Sequence, residues 1–165
     1  MTLRGRAFVF GDRIDTDLLA PGPYMREPID VLASHCLEAI DPGFAREARP
    51  GDIVIGGESF GIGSSREQAV QALAHLGIAA IVAKSFARIF YRNALNLGIP
   101  AVTCPDLVAT RGDEIEVQPV AGLVINHSRS TRHACQPLPP QLMAIVDAGG
   151  LMPWLEQRIA AERSP

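Results

Sequence analysis

The segment Ser64-Ser65-Arg66-Glu67 sets two hydroxyls, a guanidinium and a carboxylate in consecutive positions, directly after Gly61 and Gly63. An arginine can hold a carboxylate through two parallel hydrogen bonds. A serine hydroxyl near backbone N–H donors and a cation ionises more readily, because both favour the alkoxide. Such a serine is a candidate base for removing a proton next to a carboxylate, provided its surroundings shift it far. The glycines, lacking Cβ, let the backbone come close to a ligand. The same residues also fit a capping box, with Ser64 at the N-cap and Glu67 at N3, ahead of an apolar pattern of helical period. The two readings are compatible, since a helix N-terminus with free N–H groups is an anion site.

Three rival motifs fail. A P-loop needs a lysine after its last glycine, and Ser64 follows Gly63. In a dinucleotide fingerprint the third glycine position would be Arg66, and Lys84 and Ser85 stand about 20 residues on, where an acidic residue is needed. The nucleophile elbow GxSxG is absent.

Other candidate groups carry less. Asp12, Asp15 and Asp17 lack the glycine and distal glutamate of a calcium loop, so they read as a turn with one functional aspartate. The histidines at 35, 75, 127 and 133 show no HxxxH or HExxH spacing and read as structural or surface residues. Three widely spaced cysteines without CxxC imply reduced thiols in or near the core, with neither a disulfide framework nor a metal held by this chain. Arg88 and Arg92 share a helix face near Lys84, either as a solvated face or as a patch toward a partner or substrate. Phe86, Ile89 and Phe90 read as core, and Trp154 as packing for a terminal helix.

These side chains need a scaffold. "GRAFVF" at 5–10 predicts a strand, and "GDRIDTD" a polar turn after it. The prolines of "LLAPGPYMREP" predict a loop, and the spacing of Val31, Leu32, Cys36 and Ile40 a helix from about Asp30 to Ile40. Apolar runs at 52–57, 78–83 and 99–104 predict buried strands. Two helices lie between them, one ending at Gly77 and one running from Ser85 to Gly98. This alternation is the signature of parallel strands with right-handed crossovers. Beyond Cys104, "DEIEVQPV" and "GLVINHS" predict a hairpin, followed by two short closing helices, the second from about Pro153.

The 165 residues, 47% apolar and 20% charged, suit one globular domain with its own core. A net charge of -3 argues against nucleic acid as partner. No run approaches the ~20 apolar residues of a membrane span, and no apolar leader segment is visible near the start. The expected compartment is the cytoplasm.

Three stretches in order, "GDRIDTDLLAPGPY", "GESFGIGSSREQA" and "GIAAIVAKSFARIFYRNALNLGIP", resemble the small subunits of the 3-isopropylmalate dehydratase and homoaconitase group of the aconitase family. The resemblance spans about Gly5 to Cys104. It implies a single swivelling β/β/α domain over residues 1–165 and a hydro-lyase that moves a hydroxyl between adjacent carbons. The [4Fe–4S] cluster would sit on a separate large subunit. By that resemblance Ser64 is the base, Ser65 and Arg66 bind substrate carboxylate, and Asp17 is an active-site aspartate. The loop after Asp17 would read the substrate's variable group. There Arg26 suits a third carboxylate, unless it points to solvent, serves the carboxylate common to all substrates, or is neutralised by Glu27. The activity expected first is isomerisation of 2-isopropylmalate to 3-isopropylmalate. The alternatives are a homoaconitase or methylmalate dehydratase small subunit, or a non-catalytic anion-binding or regulatory module.

Overall fold

A computed structural model describes residues 1–164. Seven strands form one mixed sheet: β1 (Leu3–Val9), β2 (Ile53–Ile55), β3 (Ala80–Ala83), β4 (Ala101–Thr103), β5 (Glu114–Gln118), β6 (Leu123–Asn126) and β7 (Thr131–Ala134), in the order β4-β3-β2-β1-β5-β6-β7. The helices are α1 (Thr16–Leu19), α2 (Ile29–Ser34), α3 (Phe44–Glu47), α4 (Glu67–His75), α5 (Arg88–Asn96), α6 (Pro140–Asp147) and α7 (Leu151–Arg163). A 3-10 turn covers Gly22–Tyr24.

β1 belongs to both halves of the sheet. Ala7, Phe8 and Val9 pair in parallel with Ile53, Val54 and Ile55. Leu3 to Arg6 pair antiparallel with Val117 to Glu114. β2–α4–β3–α5–β4 is the predicted parallel unit, and β5–β6 the predicted hairpin. β7 was not among the predicted strands, because its "TRHA" carries no apolar alternation and is ordered by pairing with β6.

The parallel strands read as continuous apolar runs because both faces are covered. Phe8, Val54 and Ile81 face a core closed by α1 to α5, while Ala7, Ile53, Ala80, Val82 and Val102 face a second core with β5, β6 and α6. The antiparallel strands instead alternate, with Ile115 and Val117 buried between Glu114, Glu116 and Gln118. The sheet curls until its ends meet: the Gln136 N–H donates to the Thr103 carbonyl at 2.9 Å.

Two local expectations fail. The helix predicted to Ile40 stops at Ser34. Leu37 takes a φ of 58° and donates its N–H to the Leu18 carbonyl at 2.8 Å, so a tertiary bond replaces the next helical turn. Ile89 is half exposed rather than core. α7 is 13 residues long and buries none of them fully; Arg158 lies over the Trp154 ring at 5.0 Å.

Candidate functional site

β1, β2 and β3 run in parallel, so the loops that follow them emerge at one edge of the sheet, where open α/β folds place ligands. Those loops are bound to one another. Asp12 Oδ1 accepts the Glu58 N–H at 2.7 Å, and the Arg13 N–H reaches the Glu58 carbonyl at 2.7 Å. The Gly61 N–H donates to the Ile14 carbonyl at 2.7 Å, and the Thr16 N–H to that of Ile62 at 2.9 Å. Ser85 Oγ accepts the Ser59 N–H and donates to Glu58, both at 2.8 Å. Beneath them Phe60 is fully buried, edge-on to Phe86 and Phe90 at 6.0 and 5.3 Å. Burying such a ring stabilises by about 1.5–3 kcal/mol.

The aspartates divide their tasks. Asp12 ties two loops, and Asp15 caps α1 by accepting the Leu18 N–H at 2.8 Å. Asp17, whose side chain is mostly exposed, forms an ion pair with Arg66, which also donates to the Ala20 carbonyl at 3.1 Å. Ser64 Oγ stands 3.2 Å from Thr16 Oγ1, and the Ser64 N–H donates to the same Thr16 oxygen at 3.1 Å. Asp17, Ser64 and Arg66 are thus gathered at the facing ends of α1 and α4. Ser64 and Ser65 are exposed, and Ser65 makes no side-chain hydrogen bond among the described residues. Thr16 is the site residue that no sequence motif marks. Its only signal was a β-branched hydroxyl between two aspartates, and the fold makes it one of few buried polar side chains.

The capping box does not form. α4 begins at Glu67, with Arg66 at its N-cap and no side-chain cap bond. Ser64 is drawn to Thr16 instead, so it cannot serve the helix. Consequently no protein acceptor among the described residues meets the N–H groups of Ser65, Arg66, Glu67 and Gln68. The failed cap is what leaves anion-binding donors open beside Arg66. The glycines serve the fold rather than ligand approach. Gly61 has a φ of 81°, and a Cβ there would lie 2.1 Å from Phe90. Gly63 has a φ of 115°, and its Cβ would lie 2.9 Å from Thr16 Oγ1.

Arg26 is not joined to this group. It is exposed after the 3-10 turn and makes no ion pair among the described residues, with Glu27 or otherwise. Its loop is fixed by Tyr24, which stacks on His35 at 3.6 Å; His35 in turn meets Glu38 at 2.6 Å. Arg88 and Arg92 line a groove of about 290 Å³ between α5 and α6, with Tyr91, Leu95, Leu142 and Ile145.

The thiols do not suit a cluster held by this chain. Cys36 lies in the core under α1 to α5, and Cys104 in the core on the opposite face. Burial pushes both up, Cys104 to about 11 with help from Cys135, so neither offers the thiolate that ligation needs. No group of three or more metal-ligating side chains is assembled among the described residues, and no helix there is long and apolar enough to cross a membrane.

The aconitase C-terminal domain family matches residues 40–107. A 3-isopropylmalate dehydratase small subunit of Thermodesulfovibrio yellowstonii is 41% identical over 166 residues, covering 98% of each chain. A methanogen homoaconitase small subunit of Methanothermobacter thermautotrophicus is 44% identical over 151 residues, covering 91% of this chain and 88% of that one. The crystal structure of a 3-isopropylmalate dehydratase from Methanocaldococcus jannaschii superposes with a TM-score of 0.92 at 40% identity, covering 99% of this chain and all of that one. With its mixed α/β sheet, its loops gathered at one edge and this end-to-end likeness, the chain belongs to the aconitase family of hydro-lyases, among the 3-isopropylmalate dehydratase and homoaconitase small subunits.

Proposed function

We propose that this chain is the small subunit of a heteromeric hydro-lyase that converts 2-isopropylmalate to 3-isopropylmalate by dehydration and rehydration. The observation that carries this is the constellation at the edge of the sheet. An exposed Ser64 hydroxyl stands beside Thr16, with Arg66 and unmet N–H groups next to it. It occurs in a chain that matches named small subunits over nearly its whole length. In this reading Ser64 Oγ takes the proton from the substrate carbon next to the one that loses its hydroxyl, and in rehydration gives a proton to the carbon that lost the hydroxyl while water adds at the other. Ser65, Arg66 and the N–H groups before and within the first turn of α4 hold a carboxylate. Asp17 orients Arg66 and shares it with the incoming carboxylate.

Ser64, Ser65 and Asp17 are open to solvent on this chain. A serine base works only where water is excluded and its charge is met by fixed donors. That requirement supports a large partner that closes over the edge of the sheet. A [4Fe–4S] cluster on that partner would supply the Lewis acid for the departing hydroxyl.

The test mixes this chain with a cluster-bearing large subunit and measures alkene formation from 2-isopropylmalate, homocitrate and methyl-substituted malates. Turnover of 2-isopropylmalate by the pair, and by neither chain alone, is expected. An assembled pair that turns over none of them sinks the proposal. One observation favours a homoaconitase reading: Arg26 is exposed with no acidic partner, as a reader of a third carboxylate would be. Under that reading Arg26→Leu raises KM for the tricarboxylate about tenfold to a hundredfold, the span of one lost charged hydrogen bond, and spares 2-isopropylmalate.

A further inference from the structure

We infer that Thr16 is a positioning residue that sets Ser64 as a base. The inference deepens the proposed role of Ser64 and rests on it. Thr16 Oγ1 accepts the Ser64 N–H at 3.1 Å and lies 3.2 Å from Ser64 Oγ. Ser64 Oγ is the only side-chain or backbone acceptor that the described residues bring to the Thr16 hydroxyl. Thr16 is 2% exposed, so water does not replace that bond. When Ser64 carries its proton, either hydroxyl can donate. Once Ser64 has lost it, only Thr16 can, and the bond becomes charge-assisted and stronger. The contact therefore favours the alkoxide over the alcohol, which is the direction catalysis needs. With Thr16 donating, Ser64 Oγ keeps acceptor capacity for a substrate proton, and its side chain is exposed.

The fold holds this contact in place from three directions. The Thr16 N–H is tied to the Ile62 carbonyl at 2.9 Å, and its carbonyl accepts the Ala20 N–H at 2.9 Å. Asp15 forms a parallel bridge with Ile62 and caps α1 through the Leu18 N–H. Gly63 is the third device, since a Cβ there would crowd Thr16 Oγ1 at 2.9 Å. A threonine needed only to fill space would not require its hydroxyl to meet two atoms of one serine.

The test uses the small subunit reconstituted with its cluster-bearing partner and compares Thr16→Val, Thr16→Ser and Ser64→Ala. Thr16→Val is expected to lower kcat about tenfold to a hundredfold, at and below the lower end of the ~10²–10³ range for losing a donor that meets a developing anion directly, with KM within about twofold. Thr16→Ser, which restores the hydroxyl, is expected to recover kcat to within about fivefold. In a Ser64→Ala background Thr16→Val should add nothing, because its effect runs through Ser64. Should the valine methyl destabilise α1, seen as a lowered unfolding midpoint of the free subunit, Thr16→Ala carries the same comparison without added bulk. Normal kcat for Thr16→Val or Thr16→Ala beside an inactive Ser64→Ala overturns the inference and leaves the Ser64 reading standing. A rise in KM alone also overturns it. An active Ser64→Ala removes the reading on which it rests.

Discussion

Residues 3–6 of β1 pair antiparallel with β5 and residues 7–9 pair parallel with β2, and polar side chains on the two sides of that change meet different fates. In the antiparallel half they are consumed by one another. Arg4 meets Glu114 at 2.8 Å, His127 meets Glu116 at 2.7 Å, and Arg129 meets Asp113 at 3.0 Å. Asn126, fully buried, donates to Asp113 at 2.8 Å and to the Val108 carbonyl at 3.1 Å. In the parallel half, Ser65, the N–H groups opening α4 and the exposed faces of Ser64 and Asp17 remain available. Strand direction explains the difference. Antiparallel pairing sets polar groups of adjacent strands side by side, whether the strands are joined by a turn, as β5 and β6 are, or lie far apart in sequence, as β1 and β5 do, so each finds a neighbour. Crossovers carry every loop back to one edge, where groups from distant segments collect without pairing completely.

The sharpest way to break this contrast is to cross one substitution from each half. Ser64→Ala should lower kcat of the reconstituted enzyme by roughly 10³-fold, within the range for losing a general base. The unfolding midpoint of the free subunit should fall only by the cost of leaving the buried Thr16 hydroxyl without its acceptor, about 1 kcal/mol. Steady-state kinetics and thermal unfolding on the same preparations check both halves of the claim. A loss of stability well beyond that, beside the loss of activity, would mean that the Thr16–Ser64 contact holds the fold.

Asn126→Ala should do the reverse. It leaves the Val108 carbonyl and the Arg129 N–H without the partners they have at 3.1 and 3.2 Å. Losing these bonds of the buried Asn126 amide, together with its bond to the Asp113 carboxylate, costs about 2 kcal/mol, read as a lower urea midpoint at unchanged slope. Turnover of the reconstituted pair should match the wild type. A large loss of turnover at full stability would show that the antiparallel half communicates with the site.

How much of this was legible in the sequence follows the same division. The parallel unit was readable because strands buried on both faces give unbroken apolar runs such as "DIVIGG" and "IAAIVA". β7 was not, because "TRHA" is half exposed and takes its form from β6. In the site, Ser64 and Arg66 stood out by type and spacing. The local pattern nevertheless misplaced Ser64, since a capping box is judged from neighbours in sequence. The hydroxyl that captured Ser64 lies 48 residues away, on Thr16. The pairing of Asp17 with Arg66 is likewise a product of two loops meeting. No spacing rule contains it.

The smallest expected effect is a pH dependence belonging to the antiparallel half. Hydrogen bonds from Asn126, then the Thr110 N–H, then Arg129 hold the Asp113 carboxyl down to about 2. A carboxyl depressed in the folded state stabilises it fully above the unfolded value of about 3.9, and loses that contribution as pH falls through the folded value. Wild-type protein should therefore lose stability to urea as pH falls from about 4 toward 2, more steeply than Asp113→Asn does. Neighbouring Glu114 and Glu116, also held below the ordinary range by Arg4 and by Gln118 and His127, contribute to the slope in both proteins, so the difference between the two isolates Asp113. Identical slopes would show that the Asn126–Asp113–Arg129 cluster is no tighter in the folded chain than in the unfolded one. The contrast between a half that consumes its polar groups and a half that keeps them open would then lose its strongest member.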